Sequence, residues 1–195
     1  MTDVVLYHHV QGLTAGVRSF ADELRHAGHA VHAPDLFDGR TFDTIEEGMA
    51  FAREAGFGAL AERGVAAAES VGPEVVYAGF SFGVMVAQQL AQTRPGARGA
   101  LLMYGCLPVS EFGDAWPEGV AVQVHGKDGD PFFAEDLEAA QALVDSTDQA
   151  ELFLYPGEEH LFADSSLPAY DAAAAALLTE RVLAFLDAVD ATNKN

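Results

Sequence analysis

Gly79-Phe80-Ser81-Phe82-Gly83 sits between an apolar run, Val75-Val76-Tyr77-Ala78, and a helical run from Val84 to Gln92. A chain that enters this pentapeptide as a strand and leaves it as a helix must turn sharply at the serine. The turn holds the serine in strained backbone geometry. Side chains two residues to either side would collide, and glycine at both places removes them. The hydroxyl is lifted clear of the backbone. A strand that runs straight into a helix is also the building unit of parallel sheets. The simpler alternative is an ordinary strand–helix turn with a small capping serine.

The rest of the chain repeats that unit. Apolar runs that read as strands fall at residues 4–8, 30–33, 75–79, 100–104, 121–125 and 151–155. Helical patterns fall at 15–27, 44–71 with a break near 56–58, 82–93, 134–146 and 170–189. This alternation predicts an α/β fold, with a parallel sheet covered on both faces. Runs that are apolar throughout, such as Ala100-Leu101-Leu102-Met103, suit strands buried on both sides. Gly28 fits a helix C-cap, and Pro34-Asp35 and Pro156-Gly157 close the second and last strands. The alanine run 172–176 continues into Leu177, Leu178, Val182, Leu183 and Leu186, so it reads as a C-terminal packing helix. No repeat or linker divides the chain. The expectation is one domain over 1–190 and a frayed tail at 191–195.

Half of the residues are hydrophobic and 21% are charged, which fits a globular chain and argues against disorder. The single cysteine, Cys106, has no internal partner for a disulfide, which fits a reducing compartment. The N-terminus shows no basic leader, and no apolar stretch reaches the roughly 18 residues a membrane helix needs. The reading is a cytoplasmic protein with no membrane partner. The formal net charge of −20 argues against nucleic acid, because phosphate contacts need clustered Lys and Arg. Such a surface favours solubility and does nothing to attract anionic substrates. The oligomeric state leaves no trace in the sequence.

In an open parallel sheet the ligand sits at the carboxyl ends of the strands. Reactive residues follow three strands. Ser81 follows the third. Asp128 and Asp130 follow the fifth, in His125-Gly126-Lys127-Asp128-Gly129-Asp130-Pro131. His160 follows the sixth, in Tyr155-Pro156-Gly157-Glu158-Glu159-His160-Leu161-Phe162. A serine hydroxyl is a weak nucleophile at neutral pH and needs a base to take its proton. His160 would do so, and an aspartate would hold the imidazole in the right tautomer. Asp128 also fits simple turn chemistry. Glu158 and Glu159 read as solvated.

Attack on a carbonyl creates a negative oxygen that fixed donors must meet. One expected donor is the backbone N–H of Phe82, at the start of the helix that follows the serine. The second is expected from His8-His9-Val10-Gln11-Gly12, with the N–H of Val10 favoured. Neighbouring strand residues point to opposite faces, so His8 and His9 make a poor chelating pair. With no cysteine cluster and no H-E-x-x-H, no metal site and no cofactor is expected. His9 is expected to line the pocket. Phe37, Trp116, Phe132 and Phe162 are expected to wall an apolar acyl or ring pocket. The short 106–119 connection predicts an open or shallow site for a small substrate.

The order Ser…Asp…His is that of α/β-hydrolases, and the chain resembles the dienelactone hydrolase family over nearly its whole length. The resemblance runs through the first strand and the Gly12 loop, Ala33-Pro34-Asp35-Leu36-Phe37, and Gly79-Phe80-Ser81-Phe82-Gly83. It continues through Val122-Gln123-Val124-His125-Gly126, Asp130-Pro131-Phe132, Tyr155-Pro156-Gly157 and His160-Leu161-Phe162. It implies a compact, cap-less α/β-hydrolase: a three-layer α/β/α sandwich around a six-stranded parallel sheet, with expected order 2-1-3-4-5-6. It implies a triad of Ser81, Asp130 and His160. Asp130 is favoured over Asp128 because it directly precedes Pro131 at the loop apex. The implied activity is cleavage of a small ester, lactone or thioester through an acyl-enzyme. The alternatives are a hydrolase-fold binding protein with little turnover, and an acyltransferase.

Three positions depart from the family's name-giving enzymes. Ser81 stands where they use cysteine, His9 where they carry a glutamate, and Asp164 where an arginine binds the substrate carboxylate. An Asp164 facing that carboxylate would repel it, so the expected substrate is not a dienelactone itself.

Overall fold

The computed structural model describes residues 1–192. β1 (Asp3–Tyr7) leads through α1 (Ala15–His26) to β2 (Ala30–His32). Two helices follow, α2 (Ile45–Ala55) and α3 (Phe57–Glu69), before β3 (Val75–Phe80). A 3-10 turn at Ser81–Gly83 opens into α4 (Val84–Thr93), and β4 (Gly99–Met103) returns to the sheet. β5 (Ala121–Lys127), α5 (Phe133–Ser146), β6 (Ala150–Tyr155) and α6 (Ala172–Thr192) complete the order. The six strands form one parallel sheet, β2-β1-β3-β4-β5-β6, the order expected from the sequence.

Strand parity divides the core in two. Val5, Tyr7, Tyr77, Leu102 and Val124 face one way and pack with α2 to α5. Val4, Leu6, Val76, Leu101 and Met103 face the other way and pack with α1 and α6. Side chains alternate across a strand, so a central strand covered on both sides must be apolar at every position. β3 meets that requirement, being buried at all six residues.

Helix ends follow local chemistry. The Thr14 hydroxyl caps α1 by accepting the N–H of Val17, and Thr44 caps α2 by accepting that of Glu47. Gly56, at φ 88°, separates α2 from α3 where the sequence predicts a break. Most boundaries differ from expectation by one to three residues. β5 runs two residues further, because Gly126 and Lys127 still pair with Leu154 and Tyr155 of β6. The segment 191–195, expected to fray, begins inside α6: Ala191 and Thr192 are helical, and 193–195 lie outside the described residues. No helix among the described residues is long and apolar enough to cross a membrane.

Candidate active site

Ser81 begins the 3-10 turn at the end of β3 and has φ 48°, in the left-handed region that a side chain disfavours. Two close approaches of backbone hold it there. A Cβ on Gly79 would lie 2.4 Å from the carbonyl oxygen of Gly83. A Cβ on Gly83 would lie 2.5 Å from the carbonyl oxygen of Tyr7 and 2.8 Å from that of His8. Both glycines are therefore required by packing against backbone that cannot give way. The phenylalanines beside the serine go to opposite faces. Phe80 packs edge-on to Phe20 of α1, and Phe82 packs against Phe37 and Phe57.

The serine meets residues from two later strand ends. Ser81 Oγ lies 2.8 Å from His160 Nε2, and His160 Nδ1 lies 2.5 Å from Asp130 Oδ2. The second carboxylate oxygen of Asp130 accepts the N–H of Phe132 at 2.9 Å. With both oxygens accepting, Nδ1 of the imidazole carries a proton and Nε2 accepts from the serine hydroxyl. That tautomer can take up the hydroxyl proton. Asp128 lies elsewhere: its carboxylate accepts the N–H of Gly157 and ties the β5 loop to the β6 loop. Asp130 is 1% exposed and His160 is 9% exposed, so the pair is screened from water.

Ser81 opens into a cavity of about 500 Å³ between α2 and α5. Met49, Phe57, Phe82, Met85 and Leu107 give it an apolar lining. Its charged groups are Glu46, Arg53, Glu135 and Asp136. Burial pushes the Asp136 carboxyl above its usual range, against the N–H of Cys106 that it accepts. Val10 and Phe82, the expected oxyanion donors, both line this cavity beside the serine. The Val10 loop is well anchored. Gln11 and Phe42 exchange hydrogen bonds, and Gly48 of α2 comes so close that a Cβ would lie 2.1 Å from Val10 O.

The dienelactone hydrolase family model matches residues 1–189. The chain belongs to the dienelactone hydrolase family. It is a hydrolase of that type, which takes small-molecule substrates. Its fold is similar to that of a dienelactone hydrolase-like promiscuous phosphotriesterase from metagenomic libraries. That pair shares 22% identity over 97% of this chain and 87% of the other, with a TM-score of 0.77. A putative dienelactone hydrolase from Klebsiella pneumoniae subsp. pneumoniae MGH 78578 is similar too. It shares 19% identity over 96% of this chain and 87% of its own, with a TM-score of 0.71. No curated protein matches the sequence.

Two polar clusters, one around buried Lys127 and one around buried Asp164, hold the loops of this dienelactone hydrolase family member in place. Lys127, 2% exposed, donates to Glu159 at 2.6 Å and to Asp171 at 2.8 Å, and lies over the Phe162 ring. Burial alone would lower its pKa, but Asp171 and Glu159 together raise it. Glu159 is solvent-exposed as expected, and its carboxylate also ties the His160 loop to Lys127. The second cluster surrounds Asp164. His9 Nδ1 accepts the N–H of Gln11, so Nε2 carries the proton and donates to Asp164 Oδ2 at 2.7 Å. Thr14 and Ser166 also donate to that carboxylate. Burial pushes Asp164 up, but the bonds from His9, Ser166 and Thr14 prevail and hold its pKa at about 2.

These placements correct several expectations. His9 is fully buried under the site and does not line the main cavity. Asp164 is 4% exposed and turned to His9, so it does not face a substrate carboxylate. Phe37 is buried behind Phe82, edge-on to His8. Phe162 is buried against Tyr104 and Tyr155. Trp116 lies in a separate groove beside Cys106, with its indole N–H donated to Val120 O. In each case a core contact or a hydrogen bond claims the ring that the sequence assigned to the pocket. Phe132 does stand at the site, its ring 4.9 Å from that of His160.

The sequence reading passed over Tyr104, Met85 and Asp136, which line the cavity. Tyr104 follows β4, so the strand-end rule that found Ser81 could have found it. Its φ of 68° and the Ala163 N–H that its hydroxyl accepts are tertiary facts. Among the described residues, no group of three or more His, Cys, Asp or Glu could hold a metal ion.

Proposed function

We propose that the protein is a serine hydrolase that cleaves a small, neutral ester, lactone or thioester through an acyl-enzyme. The observation that carries this reading is the hydrogen-bonded chain from Ser81 through His160 to Asp130. Ser81 Oγ attacks the carbonyl carbon while His160 Nε2 takes the hydroxyl proton. Asp130 holds the ring and stabilises the imidazolium that forms. The oxyanion is met by the N–H groups of Phe82 and Val10, the first of them at a helix start. The bond from the acyl carbon to the leaving oxygen, or sulfur in a thioester, then breaks, and that atom takes the proton from His160. Water attacks the acyl-enzyme by the same route and restores Ser81.

The cavity supports a neutral substrate. Its apolar lining suits a small acyl group, and three carboxylates outnumber the single arginine. A fluorophosphonate probe, with the label located by mass spectrometry, tests the chemistry. Labelling at Ser81 should vanish in Ser81→Ala and weaken in His160→Ala. Turnover of p-nitrophenyl acetate should fall at least about a thousandfold in Ser81→Ala. Failure of the native protein to label would sink the reading. So would an Ser81→Ala variant that keeps its turnover.

A further inference from the structure

A second cavity, of about 310 Å³, also borders His160. It shares Ile45, Glu46, Phe132 and His160 with the larger cavity, so a ridge of Ile45 and Phe132 divides the two. The division has chemical content. Ser81, Phe82 and Val10 line only the larger space, while His160 lines both. The carbonyl carbon must sit at Ser81 Oγ and its oxygen at the backbone donors, so the acyl group belongs in the larger space. The leaving oxygen must come within reach of His160 Nε2, which returns the proton.

We infer that the cavity beyond the Ile45–Phe132 ridge is the leaving-group subsite, and that it takes the alcohol portion of a neutral ester. This rests on the serine hydrolase reading above. As the acyl carbon bonds to Ser81 Oγ and its bond to the alcohol oxygen breaks, the proton on His160 Nε2 moves to that oxygen. The free alcohol is then left in the second cavity. Pro131, Leu167 and Ala169 form apolar walls for a short alkyl or aryl group. The volume is at the lower end of the range for ligand pockets, about 300–1,000 Å³, which favours a small alcohol. Asp43, Glu46 and Glu158 lie at this cavity, so an alcohol bearing a carboxylate or phosphate is disfavoured.

The test holds the acyl group constant and varies the alcohol. Acetate esters of methanol, n-butanol, benzyl alcohol and glycolic acid are compared by kcat/KM. The butyl and benzyl esters should exceed the methyl ester by about tenfold, from the apolar area they bury, and the anionic glycolate ester should be poorest. Ala169→Phe fills the cavity and should reduce the benzyl-to-methyl ratio at least about fivefold. Leu167→Ala widens it and should extend the preference to cyclohexyl acetate. Fluorophosphonate labelling of Ser81, which expels only fluoride, is measured on each protein to report an intact site. If the alcohol preference is absent in the wild type, the subsite is overturned. The same holds if the preference is unchanged in both variants while Ser81 still labels. No labelling of the wild type overturns the hydrolase reading, and the subsite with it.

Discussion

Ser81 holds a left-handed backbone at a cost of about 1–3 kcal/mol, offset by the packing that Gly79 and Gly83 permit. Asp128 and Asp130, two residues apart, differ in what each carboxylate accepts. Asp130 receives the imidazole N–H on one oxygen and the Phe132 N–H on the other. An asparagine there has one acceptor for two donors. Turning its NH₂ to the ring would put the imidazole proton on Nε2, where it blocks proton uptake from Ser81. Asp130→Asn should therefore lower kcat on p-nitrophenyl acetate by about 10³–10⁴-fold. Asp128→Asn keeps an oxygen for the Gly157 N–H and should stay within about threefold. The assignment fails if the Asp128 variant is the one that loses orders of magnitude. The order of Ser81, Asp130 and His160 along the chain was legible in the sequence. The preference for Asp130 over Asp128 rested there on Pro131, and the direction of each carboxylate was not legible.

Elements meet at the site through loops, and each loop is tied to another by buried polar groups. Asp164, on the loop after His160, receives bonds from Thr14, the cap of α1, and from His9, next to the Val10 loop. One carboxylate thus joins the start of α1 to two loops of the site. Asp164→Asn retains a single acceptor oxygen and sets an NH₂ against a donor. It should lower unfolding stability in urea by about 1–3 kcal/mol. A loss below a few tenths of a kcal/mol would mean that these contacts are incidental. In the sequence, Asp164 showed only as a charge at a family position. Its direction depends on where α1 and β1 lie, and no local pattern carries that information. Helix limits fared better, since Thr14, Thr44 and Gly56 act on their own neighbourhoods.

At the scale of the whole molecule, burial of histidines links stability to pH. Burial lowers the His125 pKa from 6.5 to about 3 and that of His8 to about 4. Both are depressed relative to the unfolded chain, so their contribution is complete above pH 6.5. It is lost as pH falls, because the unfolded chain then binds protons that the folded one refuses. Each histidine should steepen the loss by up to about 1.4 kcal/mol per pH unit between pH 6.5 and 4. His125 stacks on Phe153 and Tyr155 within the sheet, and a phenylalanine has a similar shape. His125→Phe should therefore show a shallower decline of the urea midpoint over that window. An unchanged slope would place the titration elsewhere.

The strand order came from the family resemblance. The sequence patterns alone determined the parallel sheet and the strand ends that bear Ser81, Asp130 and His160. Those features follow from short-range patterns: unbroken apolar runs, helical periodicity, and glycines at a turn with no room for a Cβ. Only the tertiary structure decided which of the remaining groups face the site. Phe37, Phe162 and Trp116 are as suited to a core as to a pocket wall, and each was claimed by neighbours remote in sequence. His9 and Asp164 found each other across 155 positions, which removed both from the cavity. The direction of a polar side chain is set by its hydrogen-bond partner. When that partner comes from another layer of the fold, the answer exists only after the layers have packed.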